Sequence, residues 1–227
     1  MKARALAAAL AALGAIAGPA AALTLEAEGR TLVVSGEVGN DLPAFVQALD
    51  ETKADTVVFV NSPGGDLWTG IRIGRLLADR GLTTVAAGRC LSACAIMFLG
   101  GRERRFADAF RATPAYLGLH GAHNRDTRQV DPQLQPQVYA FIRQQTGARF
   151  DADVMNRALY DMDDARAMLI VPDPSRADAT VVHCRSGALP RERCTPIPGA
   201  DALSLGLVTA REPLAVTLPA RFGEARR

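Results

Sequence analysis

Two short apolar runs, each halted by small residues and followed by a helical pattern, restrict this chain to a layered α/β architecture. Residues 56–60 (Thr-Val-Val-Phe-Val) stop at Asn61-Ser-Pro-Gly-Gly65, as a parallel strand buried on both faces would. Residues 66–80 then carry Leu67, Ile71, Leu76 and Leu77 at helical spacing, ending at Gly81, and residues 82–86 form the next apolar run. Strand, helix and strand within roughly thirty residues make a βαβ unit with a right-handed crossover. Upstream, residues 23–28 and 31–38 alternate apolar and polar side chains and read as strands joined at Gly29. Residues 41–52 read as a helix with Asp41 as N-cap and Pro43 in its first turn. Downstream, the wholly apolar helix 93–99 must be buried and ends at Gly100-Gly101, and residues 104–107 and 116–119 are short strands. Residues 132–160 should give two helices broken at Thr146-Gly147, followed late in the chain by a helix over 199–205 and a strand over 207–209. The expected class is α/β with one mainly parallel, layered sheet.

The beginning of the chain reads as a processing segment. Met1-Lys-Ala-Arg4 is cationic, residues 5–18 are an apolar run short for a bilayer span, and Ala20-Ala-Ala22 supplies a small-residue cleavage site. We therefore expect a signal peptide over 1–22, one domain over 23–215 and a flexible tail over 216–227. The mature chain would be periplasmic or secreted and would not touch membrane. An uncleaved anchor is the competing reading, weakened because alanine is only mildly hydrophobic. A formal charge of +2 and dispersed arginines exclude the concentrated basic, aromatic-lined surface that nucleic acid requires.

Four cysteines in an exported chain suggest disulfides, with three connectivities open. Joining Cys184 to Cys194 would staple a turn-rich hairpin inside residues 171–198, which read as an insertion. Cys90 and Cys94 are harder to join. Residues i and i+4 of a regular helix hold their Cβ atoms about 5–6 Å apart, whereas a disulfide needs about 3.8 Å. They pair only if the segment around Ser92 is a tight turn. Zinc is disfavoured, since the chain has no Cys-x-x-Cys and His183 beside Cys184 is poor ligand spacing.

Parallel-sheet proteins place reacting groups at the carboxyl ends of strands. Gly64-Gly65 lies there after the first core strand, and Ser92 after the next, each opening a helix. The backbone N–H groups of Gly65 and Ala93 could supply the two donors of an oxyanion hole. Taken singly, Ser92 could be an ordinary N-cap and the glycines an ordinary turn. Among three histidines, only His120 ends an expected strand; His123 in the following loop is the fallback, and His183 lies in the insertion. A serine–lysine pair is rejected: past the leader the single lysine, Lys53, is at the opposite sheet edge. The two cysteines beside Ser92 are better read as oxidised than as nucleophiles. An acid to orient His120 would come from Asp161, Asp163 or Asp164, after the second of the two helices, or from Asp151 and Asp153 before it.

The run Phe59-Val-Asn-Ser-Pro-Gly-Gly65, the run Gly88-Arg-Cys-Leu-Ser-Ala-Cys-Ala-Ile-Met-Phe-Leu-Gly-Gly101, Arg105-Phe106 and Gly118-Leu-His120 together resemble the Clp protease proteolytic subunit. That family sits within the Clp protease/crotonase superfamily, and the likeness is to its exported bacterial branch. Thr146-Gly147 and residues 202–208 add weaker matches. The resemblance implies a fold of repeated ββα and βαβ units, and a serine peptidase needing no cofactor or metal. It implies Ser92 as nucleophile, His120 as base, Gly65 and Ala93 as oxyanion donors, and an aspartate after the helices as acid: counting from Thr146-Gly147 arrives beside Asp161, whereas a register set on Met168-Leu169 favours Asp164. The substrate would be an extended peptide or protein pairing with a sheet edge, and copies would associate through the helices of 132–160. The insertion over 171–198 and the cysteines flanking the serine depart from the family. Two rivals are a non-catalytic scaffold that keeps the fold and an acyl-thioester enzyme, the latter disfavoured because coenzyme A is cytosolic.

Overall fold

The structure, a computed structural model, describes residues 22–109, 114–124, 129, 131–160, 167–185 and 194–223. Strands β1 (Leu23–Glu28) and β2 (Thr31–Val38) form an antiparallel hairpin about Gly29. The chain then crosses through α1 (Leu42–Thr52) to β3 (Thr56–Gly65), through α2 (Leu67–Asp79) to β4 (Thr83–Leu91), and enters α3 (Ala93–Leu99). Strands β2, β3 and β4 are parallel neighbours. In β3, Val57 and Phe59 join the helix-side core while Val58 and Val60 face the other side with Val33, Val85 and Ala87. Both faces being covered is why this strand is continuously apolar. Each fully buried aliphatic or aromatic side chain contributes roughly 1.5–3 kcal/mol, and Phe45, Phe59, Phe98 and Phe141 are all fully buried on the helix side.

Beyond β4 the sheet divides. β5 (Glu103–Phe106) pairs with the first part of β4 and β6 (Tyr116–Leu119) with its last part, both in parallel. Thus Arg89, Cys90 and Leu91 lie against Tyr116, Leu117 and Gly118, which carries the end of β6 to the point where β4 turns into α3. Helices α4 (Gln135–Thr146) and α5 (Ala152–Leu159) follow, divided at Gly147 as expected. The sheet then continues antiparallel through β7 (Met168–Pro172), β8 (Val182–Cys184) and β9 (Cys194–Pro196). The expected insertion therefore extends the sheet, and Cys184 stands opposite Cys194 in its last ladder, joined to it by a disulfide.

Several local expectations are corrected. Asp41 occupies the N-cap position of α1 without capping it; its carboxylate accepts from Leu23 N at 3.1 Å and Gly39 N at 2.6 Å, tying the hairpin to the helix. β3 runs past Val60 to Gly65 because Glu37 and Val38 of β2 continue to pair with Gly64 and Gly65. The helix expected over 199–205 and the strand over 207–209 are replaced by turns. The Asp201 carboxylate accepts from Leu203 N and Ser204 N, and the guanidinium of Arg104 takes the carbonyls of Gly206 and Leu207. Within the stretch expected as a tail, Val216, Leu218 and Phe222 pack on the face opposite the main helices, and Ala220–Gly223 (α6) is a short helix.

Candidate active site

Ser92 is the hinge between β4 and α3, and its backbone is unusual for a residue with a side chain: φ is +55° and ψ −124°. Non-glycine residues held in such sparsely populated regions cost about 1–3 kcal/mol and cluster at functional sites. A sharp, strained strand-to-helix turn is a device for exposing a nucleophilic oxygen. The alternative of an ordinary N-cap is not met, because the Ser92 side chain makes no capping hydrogen bond. Its N–H instead donates to Gly118 O at 2.7 Å, and its carbonyl accepts from Ile96 N at 3.1 Å, so the turn is anchored to β6 on one side and α3 on the other.

The glycine pair meets this turn directly. A Cβ placed on Gly64 would lie 2.4 Å from Leu91 O, 2.7 Å from Ser92 Cβ and 2.9 Å from Ala93 N, and Gly64 has φ +86°. Only glycine permits both the conformation and the approach. Ser62, fully buried, locks the strand end: its hydroxyl donates to Gly36 O at 2.7 Å and accepts from Gly64 N at 3.3 Å. Ala93, as the first residue of α3, has no acceptor for its N–H within the helix. The β3 glycines and the start of α3 are therefore side by side.

Ser92, Gly64, Gly65, His120 and His123 border one cavity of about 670 Å³ whose wall includes Ile96, Leu119, Val138 and Leu159. Among the described residues, its bordering carboxylates are Glu37 and Asp66, the latter capping α2 through Thr69 N at 2.7 Å. His120 directly follows β6, as expected. Its Nδ1 lies 2.6 Å from Gly121 O; a carbonyl only accepts, so Nδ1 donates and Nε2 is left as a lone-pair acceptor. Burial, opposed by the hydrogen bond to the Gly121 carbonyl and helped by a smaller effect of the neighbouring His123, pushes the His120 pKa down to about 4. The imidazole is thus neutral at physiological pH, in the tautomer a general base requires. The two histidine rings are 5.1 Å apart at their centroids, so the fallback residue shares the cavity with the favoured one.

Ser92 and His120 reach the same cavity, but no hydrogen bond joins them among the described residues. Nor does a carboxylate contact His120 among the described residues; its Nδ1 partner is a backbone carbonyl. Asp161, Asp163 and Asp164 lie outside the described residues. Asp151 is occupied as N-cap of α5, accepting from Asp153 N and Val154 N. Lys53 ends α1, before the opposite end of β3, and His183 lies in β8 and does not border the cavity. No group of three or more His, Cys, Asp or Glu placed to hold a metal occurs among the described residues.

Two contributors escaped sequence reasoning. Asn61 has φ +50° and its side-chain oxygen accepts from Arg89 N at 3.1 Å, fixing β3 to the β4 segment that leads to Ser92; the tolerance of asparagine for positive φ was the available signal. Gln135, fully buried, donates to Ala122 O at 3.3 Å and so steadies the loop after His120. A lone glutamine within a helix gives no sequence signal.

No protein-family model matches the chain, and no curated protein matches it by sequence. Among solved structures it is similar to ClpP1 from Listeria monocytogenes (13% identity, 86% of this chain and 95% of that one, TM-score 0.47). It is also similar to a mutant of the 1510-N membrane-bound stomatin-specific protease in complex with a substrate peptide (13% identity, 79% and 74%, TM-score 0.46). A third is an enoyl-CoA hydratase/isomerase-type chain from Bordetella parapertussis (18% identity, TM-score 0.38); the alignment covers 61% of this chain and 64% of that one. Likenesses of this order transfer no residue's role.

Proposed function

We propose that this protein is a serine hydrolase of peptide or related acyl bonds, exported to an oxidising compartment. The observation that carries the reading is the conformation of Ser92: a serine with φ +55° that caps nothing and opens onto a cavity it shares with a neutral histidine. In the proposed reaction His120 Nε2 takes the Ser92 hydroxyl proton as Oγ attacks the acyl carbon. The backbone N–H groups of Gly65 and Ala93 stabilise the oxyanion. His120 then returns the proton to the leaving group, and water hydrolyses the acyl-enzyme by the reverse sequence. The Gly121 carbonyl holds the imidazole tautomer, the task an aspartate performs in a full triad; Asp164 remains only a proposal for the acid.

The mostly apolar wall suits a substrate side chain, and the exposed Trp68 at the cavity rim suits an extended peptide. Export is supported by two disulfides and by the leader-like first residues, which lie outside the described residues. No helix among the described residues is long and apolar enough to cross a membrane. Self-association through α4 and α5 remains a proposal that a sedimentation measurement can settle.

Two observations favour the second reading, a non-catalytic binding module. No hydrogen bond joins Ser92 and His120 among the described residues, and a pKa of about 4 makes His120 a weak base. Pre-steady-state hydrolysis of an activated p-nitrophenyl ester distinguishes the two. The hydrolase reading predicts a burst of nitrophenol stoichiometric with protein, absent in Ser92→Ala and strongly slowed in His120→Ala. Turnover that is unchanged by either substitution, or absent throughout, supports the binding module.

A further inference from the structure

The chain joins Cys90 and Cys94 by a disulfide, with Ser92 midway between them and Cα atoms 5.2 Å apart. Both cysteines are fully buried. Cys90 lies in β4 opposite Ser62 of β3 and Leu117 of β6, while Cys94 lies in the first turn of α3. The bridge therefore closes a five-residue loop around the candidate nucleophile.

Such a short loop restricts the unfolded chain less than the Cys184–Cys194 loop, whose ends are ten residues apart. Its stronger effect is local. The low-energy alternative for Ser92 is to relax into αR backbone and extend α3 toward its N-terminus, a change that relieves the positive φ. In that helical arrangement the Cβ atoms of residues 90 and 94 would stand about 5–6 Å apart, too far for a disulfide, which needs about 3.8 Å. The bridge is incompatible with a regular helix that reaches back to Cys90, so it limits how far α3 can extend through Ser92. The other restraints on the turn are the Ser92 N–H on Gly118 O, the Ile96 N–H on the Ser92 carbonyl and the packing of Gly64; the disulfide is the covalent one.

We propose that the Cys90–Cys94 disulfide is a positioning element for the nucleophile: it holds Ser92 in its positive-φ turn and keeps the hydroxyl in the cavity beside His120. The role rests on the hydrolase reading of Ser92, but its backbone consequence does not.

The test compares the full-length wild type, Cys90→Ala/Cys94→Ala, and Cys184→Ala/Cys194→Ala, which removes the distant bridge. Each is checked for native far-UV circular dichroism, then measured for Ser92 backbone chemical shifts and for the second-order rate of labelling by a fluorophosphonate probe. The expected result is a positive-φ signature at Ser92 in the wild type and in Cys184→Ala/Cys194→Ala. In Cys90→Ala/Cys94→Ala the shifts move to helical values and labelling slows at least tenfold. Should that variant not fold, Cys90→Val/Cys94→Ala, which restores part of the lost volume, is measured in its place. Collapse of both overturns the proposal, because the bridge would then support the whole fold rather than one turn. Unchanged shifts, or labelling within twofold of the wild type, also overturn it. A wild type that never labels refutes the hydrolase reading, and the shifts alone then decide the positioning role.

Discussion

Replacing Gly64 with alanine tests how the site is assembled, because Gly64 is where β3 presses on the Ser92 turn. Two costs apply. Alanine at φ +86° bears a left-handed backbone penalty of about 1–2 kcal/mol. Its Cβ would also meet Leu91 O at 2.4 Å, Ser92 Cβ at 2.7 Å and Ala93 N at 2.9 Å. Those are backbone atoms or a Cβ, not flexible side-chain ends, so strand and turn must separate, and overpacking of this kind costs about 1–3 kcal/mol more. The sum, about 2–5 kcal/mol, is within the usual stability of a domain, so the variant stays folded in buffer. Gly29→Ala is the matched control: its φ is +59°, yet nothing lies within 4 Å of its Cβ, so only the backbone penalty of about 1–2 kcal/mol applies. Urea denaturation of both variants measures the difference, and fluorophosphonate labelling reads the position of Ser92. The expected result is a larger loss of stability for Gly64→Ala and a fall in labelling confined to it. Equal losses in the two variants with equal labelling would refute the proposed contact between the glycine strand and the serine turn.

Three further outcomes follow from the same contacts. His120 has its pKa lowered to about 4 in the fold against about 6.5 unfolded. The unfolded chain therefore binds the extra proton first, and the contribution is complete above pH 6.5 and lost as pH falls to 4. Wild type should lose up to about 3 kcal/mol more than His120→Gln over that window in urea titrations, while labelling stays flat down to about pH 5. Arg104, 4% exposed, donates to the carbonyls of Gly101, Gln145, Gly206 and Leu207. Arg104→Met should cost roughly 3 kcal/mol by leaving buried acceptors unpaired, and Arg104→Lys should not rescue it, since an ammonium lacks the planar fork; thermal denaturation checks both. Cys184→Ala/Cys194→Ala should lose about 2–3 kcal/mol in urea midpoint without altering the labelling rate.

The parts of this fold that periodicity could reach were those where one local signal dominates. The apolar run at 56–60, the helical spacing of 66–80 and the wholly apolar 93–99 each correspond to an element. Failure came where tertiary partners decide. β3 continues through Ser-Pro-Gly-Gly because β2 remains alongside it, although proline and glycine argue locally for a turn. Ala202, Leu205, Leu207 and Val208 are buried and mimic a helix and a strand in sequence. Gly206 at φ +70° and the Arg104 guanidinium on two of the carbonyls make them turns instead. The cysteine argument carried furthest: it allowed a Cys90–Cys94 bridge only with a tight turn at Ser92, and the chain has both the turn and the bridge. The orienting partner of His120 was hidden for a general reason: a backbone carbonyl has no side-chain identity for a sequence to display.

The central claim is that Ser92 is a nucleophile activated by His120. Its most direct test is mass-spectrometric mapping of the adduct formed when the folded protein reacts with a fluorophosphonate. The account predicts a single adduct on Ser92, abolished in Ser92→Ala and slowed by orders of magnitude in His120→Ala. An adduct on any other residue, or none on protein whose fold is intact, would contradict it.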